Sequence, residues 1–269
     1  MTAVPTLRQR ALLAREGIFN LRDLGGLPVE GGVVAPRRVL RGDALHRAGE
    51  SVAVLRDLGV VRVLDLRDEV ERKEEGVLEA EALEVQHHPV LDPRFPWADD
   101  EVEDPSELVA HRYREILTSF GSRFATALGA LAEVACTDGS PRGAVAYHCA
   151  VGKDRTGLLT ALLLGALGAD HEVIVADYAR TAAVTPIQVS WLWSLGHPAG
   201  QVDDDELRYG LWSARPETMR ATLEWLQREH GGFERYLADC GLDGDVVEAL
   251  RAALVRRGDE GGAEDAARG

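Results

Sequence analysis

The residues best suited to chemistry lie together between positions 148 and 157, in the run His-Cys-Ala-Val-Gly-Lys-Asp-Arg-Thr-Gly. Cys149 follows a short strand pattern at 143–148, and an apolar helix pattern follows at 156–167. A cysteine placed between a strand and a helix N-terminus faces loop N–H groups and the positive end of the helix dipole. Such a setting lowers the pKa of a cysteine thiol from about 8.5 to roughly 3.5–7.5. Cys149 is therefore predicted to be an ionised nucleophile.

The same loop carries the groups that a thiolate needs in order to attack phosphorus. Arg155, six residues after Cys149, can bind two phosphoryl oxygens at once. Gly152 lets the backbone turn without a side chain in the anion cradle, and Thr156 can donate a hydrogen bond to the sulfur. This chemistry requires no metal and no other cofactor, and none is expected. The predicted phosphate-binding residues are Ala150, Val151, Gly152, Lys153, Asp154 and Arg155.

Strand and helix patterns alternate around this loop. Buried strands are predicted at 60–66 and 143–148, with a further candidate at 83–90. Asp68 and Glu71 have the spacing of a capping box that opens a short helix at 68–75. Further helices are predicted at 105–136, 156–167, 170–180, 183–195, 216–229 and 243–256. The alternation predicts an α/β fold with a mostly parallel central sheet flanked by helices, and the extra C-terminal helices are candidates for a lid over the site.

Composition narrows the class of protein. The chain has 269 residues and a net charge of −15, which argues against a nucleic-acid partner because such proteins need clustered positive charge. No apolar stretch is long enough to span a membrane, so stable membrane insertion is not expected. The N-terminus lacks a secretory signal pattern, which predicts a cytoplasmic protein and leaves open export by a route that needs no signal. Oligomeric state is left open.

The three cysteines are odd in number and widely spaced, without a Cys-x-x-Cys pair. This pattern disfavours a disulfide framework and a structural zinc site. Residues 1–257 are expected to form one domain. The polar, Gly-rich stretch 258–269 is expected to be a disordered acidic tail.

The loop resembles that of a known family. Cys-x5-Arg-Thr preceded by His is the signature of protein tyrosine phosphatases and their dual-specificity and lipid-phosphatase relatives. The full run at 148–157 is similar to the bacterial tyrosine phosphatase B group. Segments 19–26 (Phe-Asn-Leu-Arg-Asp-Leu-Gly-Gly) and 65–67 (Asp-Leu-Arg) also resemble that group, and the likeness extends over most of 17–257. The resemblance implies a phosphatase that acts on phosphotyrosine, phosphoserine/threonine or phosphoinositides through a phospho-cysteine intermediate.

The resemblance assigns roles to residues around the nucleophile. Cys149 would be the nucleophile and Arg155 the phosphate clamp, while His148 would tune the thiolate through local hydrogen bonds. The general acid is left open between Asp92, which follows a strand as the acid loop does in dual-specificity phosphatases, and Asp154. Asp65 is predicted to support the site by orienting Arg155. The alternative interpretation is a turn aspartate for Asp92 and a cap or ion-pair partner for Asp154 and Asp65.

Other residues are open to two interpretations. Lys153 adds a second positive charge that suits a substrate with more than one phosphate, or it is a solvated lysine paired with Asp154. The segment 20–23 is interpreted as a structural corner. Trp191, Trp193 and Trp212 are interpreted as core or helix-packing residues, with a lid as the alternative use.

Two rival functions share part of the signature. A rhodanese-type sulfurtransferase also places a cysteine in a short anion-binding loop, but the Arg155-Thr156 spacing is typical of phosphatases. A non-catalytic phospho-binding module would keep the arginine and lose the cysteine, which is present here at position 149.

Overall fold

The computed structural model describes residues 5–96, 105–135, 143–197, 202, 207 and 210–257. The predicted tail at 258–269 and Cys136, the last residue of the predicted helix at 105–136, lie outside these residues. The described strands are β1 (Arg22–Asp23), β2 (Pro28–Val29), β3 (Gly32–Val34), β4 (Val39–Asp43), β5 (Val60–Asp65), β6 (Glu84–His87), β7 (Ala144–Cys149) and β8 (Val255–Arg256).

Helices surround these strands. They are α1 (Leu7–Arg15), α2 (Val52–Asp57), α3 (Glu69–Glu75), α4 (Pro105–Ala135), α5 (Asp154–Ala166), α6 (His171–Ala179), α7 (Thr185–Ser194), α8 (Pro216–His230), α9 (Phe233–Asp239) and α10 (Gly244–Leu254). Two short 3₁₀ turns cover Leu45–Arg47 and Arg180–Ala183.

A five-stranded sheet with the order β1-β4-β7-β5-β6 holds the core together. β4, β7, β5 and β6 run parallel, and β1 pairs antiparallel with β4 at one edge. This confirms the predicted α/β fold with a mostly parallel sheet. A separate antiparallel sheet has the order β2-β3-β8.

The central position of β7 follows from its composition. All six of its residues are buried, and alternate side chains enter the hydrophobic clusters on the two faces of the sheet. Val145 and Tyr147 pack on the face covered by α4 and α5, whereas Ala144 and Ala146 pack with Leu45 and Leu55 on the other. A strand buried on both faces reads as a continuous apolar run, which is why its position was predictable.

The helices that follow the sheet divide into two groups. α8 and α10 pack against α4, and α9 packs against α5, so these helices form a layer outside α4 and α5. α7 instead reaches the loop after β7, because Gln188 donates a hydrogen bond to the Val151 carbonyl. Among the C-terminal helices that are candidates for a lid, α7 therefore contacts the loop.

Candidate active site

The loop after β7 surrounds the sulfur of Cys149. β7 ends at Cys149 and α5 begins at Asp154, so the four residues between them bridge a strand end and a helix N-terminus. The Gly152 N–H donates to Cys149 Sγ at 3.3 Å, and Thr156 Oγ1 donates to it at 3.2 Å. Cys149 is buried, and both donors are directed at its sulfur. The predicted hydrogen bond from Thr156 is present.

Gly152 allows the loop to turn this tightly. Its φ is +70°, a left-handed conformation that side chains other than glycine disfavour. A Cβ atom built on Gly152 would lie 2.6 Å from the Gly42 carbonyl oxygen. Glycine at this position therefore meets both a conformational and a steric requirement.

Arg155 is held by a carboxylate. Its Nη2 donates to Glu71 Oε1 at 2.7 Å, and its Nη1 pairs with Glu71 Oε2. Burial acts against the charge of Arg155, but Glu71 and the nearby Cys149 raise its pKa. Glu71 also completes the predicted capping box with Asp68 at the start of α3, since Asp68 N donates to Glu71 Oε2 at 2.9 Å. The helix cap thus also orients the arginine.

Asp65 has a different partner from the predicted one. Its two oxygens accept hydrogen bonds from Arg67 Nε at 3.0 Å and Arg67 Nη2 at 2.9 Å. Burial raises the pKa of Asp65, but His148 in its protonated form and Arg67 lower it to about 2. The side chain of Glu71, which lies in α3, reaches the Arg155 guanidinium. Glu71 therefore orients Arg155, and the prediction that Asp65 does so is wrong.

His148 contacts the backbone of Cys149. Its Nδ1 lies 3.1 Å from the Cys149 carbonyl oxygen, and its Nε2 lies 3.8 Å from Asp65 Oδ1. Burial lowers the pKa of His148 to about 4, so the imidazole is neutral at neutral pH. The ring stacks on His46 with 5.8 Å between centroids. The contact with Cys149 is therefore through its carbonyl group and not through its sulfur.

The two candidate acids lie in different surroundings. Asp154 Oδ1 accepts hydrogen bonds from Tyr113 Oη at 2.8 Å and from Lys153 Nζ at 2.8 Å, and the Asp154 side chain is 19% exposed. Asp92 lies on an exposed turn, where it accepts bonds from Arg94 N at 2.9 Å and Arg94 Nε at 3.2 Å. The structure brings Asp154 to the loop and pairs Asp92 with its own turn.

The Lys153 side chain is buried, and oxygen atoms of the protein bind its ammonium group. Its Nζ donates to the carbonyl oxygens of Leu211 at 2.6 Å and Ser213 at 3.1 Å, besides its ion pair with Asp154. Burial acts against its charge, but Asp154 raises the pKa of Lys153. The interpretation of a solvated lysine is wrong, since only 2% of its surface is exposed. A role in phosphate binding stays a prediction.

A set of buried polar residues from distant parts of the chain surrounds the loop. Arg41 Nη2 and Asn20 Nδ2 both donate to the Gly152 carbonyl oxygen, at 2.8 and 3.1 Å. Arg41 and Arg22 both pair with Asp177, at 2.6 and 2.9 Å. Burial raises the pKa of Asp177, but the two arginines lower it to about 2. The segment 20–23 is thus a structural corner, as interpreted, and one that also supports the loop.

Asp43 and Gln188 also belong to the buried polar residues around the loop, and the sequence alone did not predict a role for either. Asp43 lies opposite Cys149 in the pairing of β4 with β7. Its oxygens accept from Asn20 N at 2.7 Å, Phe19 N at 3.1 Å and Gln188 Nε2 at 2.6 Å. Burial raises the pKa of Asp43, and these donors oppose the rise. The two side chains are 145 positions apart, so no local spacing signals the contact.

A cavity of about 100 Å³ opens beside Ala150 and Val151. Aromatic, charged and neutral polar side chains line it, among them Phe19, Trp191, Trp212, Arg47, Glu75 and Gln188. The Arg47 guanidinium lies 4.9 Å from the centre of the Trp191 ring. Trp191 and Trp212 are therefore at the site, whereas Trp193 is 62% exposed, so the interpretation of Trp193 as a core residue is wrong.

The described residues offer no evident metal site, because no group of three or more His, Cys, Asp or Glu side chains among them could hold an ion. Within the same residues, no helix has the length and apolar character needed to cross a membrane. The described cysteines, Cys149 and Cys240, are both free thiols.

The central strand of a mostly parallel sheet ends at Cys149, and Arg155 follows at the start of α5, which is the arrangement expected of a cysteine-dependent phosphatase. The chain belongs to the tyrosine phosphatase family, whose model matches residues 13–256. This confirms the resemblance seen in the loop sequence.

The chain is similar to two curated proteins, and one solved structure also matches it. The chain is 29% identical over 280 residues to the triple specificity protein phosphatase PtpB of Mycobacterium tuberculosis, a match that covers 89% of this chain and 97% of that protein. It is 34% identical over 119 residues to a tyrosine-protein phosphatase of Nostoc commune, covering 43% of this chain and 40% of that one. The crystal structure of P. aeruginosa TpbA in complex with phosphotyrosine matches with 17% identity and a TM-score of 0.29, covering 66% of this chain and 88% of that chain.

Proposed function

We propose that this tyrosine phosphatase acts through a phospho-cysteine intermediate on Cys149 and that phosphotyrosine is its principal substrate. The observation that carries the mechanism is the geometry at the sulfur. Cys149 Sγ lies 3.3 Å from the Gly152 amide and 3.2 Å from Thr156 Oγ1, at the N-terminus of α5. A sulfur held by two donors beside a helix N-terminus suits attack on an anionic phosphoryl group.

In the first step, Cys149 Sγ forms a bond to phosphorus while the bond from phosphorus to the tyrosine oxygen breaks. Developing charge lies on the phosphoryl oxygens, and the loop amides with Arg155 are the donors placed to stabilise it. Arg155 is oriented by its paired contact with Glu71, so the guanidinium need not be ordered when the substrate arrives. In the second step, water attacks phosphorus and the cysteine thiolate leaves.

We assign the general acid to Asp154. It lies at the first position of α5, next to Arg155 in sequence, and its carboxyl group is partly exposed. Its proton would pass to the tyrosine oxygen in the first step, and the carboxylate would then accept a proton from water in the second. Asp92 is bound to Arg94 on its own turn and is the alternative.

The cavity beside the loop supports an aromatic substrate. Phe19 and Trp191 pack edge to face with 6.2 Å between ring centroids, and Trp212 adds a third aromatic side chain to the lining. Aromatic walls favour a flat ring through stacking and edge contacts. At about 100 Å³, the cavity suits a single ring better than an extended chain.

Hydrolysis of p-nitrophenyl phosphate in the presence of a chelator tests the mechanism. The wild-type chain should turn over, and Cys149→Ser should abolish turnover because the hydroxyl is a far weaker nucleophile. Cys240→Ser is the matched control, since Cys240 is also a free thiol but lies outside the loop. An inactive wild type or an active Cys149→Ser variant would refute the mechanism.

The acid is tested by the leaving group. Asp154→Asn should lower kcat by roughly 10²–10⁴ for a poor leaving group such as phenyl phosphate and much less for p-nitrophenyl phosphate, which needs little protonation. Asp92→Asn is the matched control and should change neither rate strongly. The opposite pattern would move the assignment to Asp92, and equal losses for both substrates would indicate a structural role.

Phosphoserine/threonine and phosphoinositides form the second candidate substrate class. The relative PtpB is named a triple specificity protein phosphatase and matches 89% of this chain. Lys153 adds a positive charge within the loop, although its Nζ is bound to Leu211, Ser213 and Asp154 in this structure. Side-by-side kcat/KM values for phosphotyrosine, phosphoserine and phosphothreonine peptides and for phosphoinositides would rank the classes. A phosphoinositide ahead of phosphotyrosine would contradict the proposed substrate.

A further inference from the structure

Side chains from other elements donate hydrogen bonds to two carbonyl oxygens of the loop. The Val151 carbonyl accepts from Gln188 Nε2 at 3.0 Å. The next carbonyl, that of Gly152, accepts from Arg41 Nη2 and Asn20 Nδ2 at 2.8 and 3.1 Å. These donors come from β4, from the segment before β1 and from α7, and all of them approach the loop from its outer side.

In a planar trans peptide group, the C=O bond of one residue and the N–H bond of the next point in opposite directions. The peptide between Val151 and Gly152 therefore places the Val151 oxygen on one side and the Gly152 N–H on the other. The first is bound by Gln188, and the second donates to Cys149 Sγ at 3.3 Å. A donor that fixes the carbonyl also fixes the direction of the N–H toward the sulfur.

The orientation of the Gln188 amide is set by its surroundings. Its Nε2 lies 2.6 Å from Asp43 Oδ2 and 3.0 Å from the Val151 oxygen, and both of these atoms are acceptors. A flipped amide would place an oxygen against two oxygens, which is unfavourable. Gln188 is 5% exposed, so water does not readily replace its donor.

We propose that Gln188 is a positioning residue for the nucleophile. Its amide N–H groups bridge Asp43 and the Val151 carbonyl, and the bridge aims the Gly152 amide at Cys149 Sγ. Asp43 is itself anchored by the N–H groups of Phe19 and Asn20, so the bridge has a fixed end. Gln188 acts on the nucleophile through the backbone of the loop, and through it α7 takes part in stabilising the thiolate. The inference rests on the proposed role of Cys149.

The test measures the ionisation of Cys149 directly. Iodoacetamide alkylates thiolates, so the pH dependence of alkylation of the Cys149 peptide, followed by mass spectrometry, gives the pKa of its thiol. Gln188→Leu removes the donor, and we expect the alkylation midpoint to rise by about 1 pH unit. We also expect kcat/KM for p-nitrophenyl phosphate to fall about tenfold to 100-fold, in proportion to a weakened anion donor.

Thr185→Val is the matched control. Thr185 is buried on the same helix, and its Oγ1 donates to the Thr181 carbonyl within that segment and not to the loop. The control removes a buried hydrogen bond of α7, so it should lower the melting temperature and leave the alkylation midpoint unchanged. A raised midpoint in Gln188→Leu alone supports the proposal.

Several outcomes would overturn it. One is a Gln188→Leu variant with reduced activity and a wild-type midpoint, because that combination describes a residue needed only for packing. If the Leu variant does not fold, Gln188→Met keeps the side-chain length without the donor and is measured in its place. Failure of both variants to fold would also reject a positioning role. Turnover by Cys149→Ser would refute the proposed function by itself, whatever the alkylation midpoints show.

Discussion

Replacing Gly152 with alanine tests the architecture of the loop most severely among single substitutions. Gly152 has a φ of +70°, and the left-handed conformation costs an L-residue roughly 1–2 kcal/mol. The added Cβ would also lie 2.6 Å from the Gly42 oxygen and 2.9 Å from the Gly42 carbonyl carbon. Both are backbone atoms of β4, so the clash is relieved only if the loop or the strand moves.

Gly231→Ala separates the two costs. Gly231 has a similar φ of +75°, but its added Cβ would meet only Arg235 Cδ, at 4.0 Å. The control should therefore lose about 1–2 kcal/mol of unfolding free energy and keep wild-type activity. Gly152→Ala should lose more than the control, because it combines the same conformational cost with the clash.

Activity should separate the variants further. The Gly152 amide donates to Cys149 Sγ, and displacing it removes a donor from the site of developing charge. Loss of one such donor lowers kcat by roughly 10²–10³, and a drop of that order in kcat/KM is expected for Gly152→Ala. Urea unfolding and p-nitrophenyl phosphate turnover measure the two effects. A Gly152→Ala variant with full activity, or with no greater loss of stability than Gly231→Ala, would refute this reasoning.

Three further outcomes are expected. Glu71→Gln removes the charge that orients Arg155, so kcat/KM for p-nitrophenyl phosphate should fall about tenfold. A fall no larger than the assay error would count against that role. Burial lowers the pKa of His148 from 6.5 to about 4 in the folded protein. Between these two pH values the unfolded chain therefore binds a proton that the folded protein does not. The free energy of unfolding should decrease as pH falls through this window, by on the order of 3 kcal/mol in total. Urea unfolding from pH 7 to pH 4 measures this loss, which His148→Asn should reduce; equal losses in both proteins would contradict it. Trp191→Ala should raise KM for phosphotyrosine peptides more than for phosphoserine peptides, and an equal change in both would remove the cavity from the account of specificity.

The elements predicted best were those whose sequence pattern reflects burial. The strand at 143–148 is observed as Ala144–Cys149, and the helix at 68–75 begins after the Asp68 cap as predicted. The predicted helix at 243–256 ends earlier, at Leu254, because Val255 and Arg256 pair with β3. Pairing with a strand more than 200 positions away leaves no local signal.

Short elements before position 60 were not predicted. β1 and β2 are two residues each and β3 is three, too short for an alternating pattern to develop. This part of the chain nevertheless holds residues that support the loop: Asn20 lies just before β1, Arg22 lies in β1 and Arg41 lies in β4. These arginines and this asparagine meet Gly152 and Asp177 only after the chain has folded.

The same distinction between local patterns and distant contacts applies to the residues of the site. Cys149, Gly152 and Thr156 lie within one contiguous motif, so their spacing alone predicted the contacts that the structure shows. The partner of Arg155 was predicted wrongly as Asp65, because nothing in the sequence distinguishes it from Glu71. Asp65 ends β5 and Glu71 lies in the helix that follows, and only the geometry of α3 decides between them.

A direct test of the mechanism is to trap the intermediate. Asp154→Asn protein mixed with ³²P-labelled p-nitrophenyl phosphate, whose leaving group needs little protonation, and quenched in acid within milliseconds should carry one labelled peptide, containing Cys149, with the label bound to sulfur. Mass spectrometry of that peptide identifies the modified atom. Rapid turnover with no label on protein, or label on a residue other than Cys149, would contradict a thiolate nucleophile in this loop.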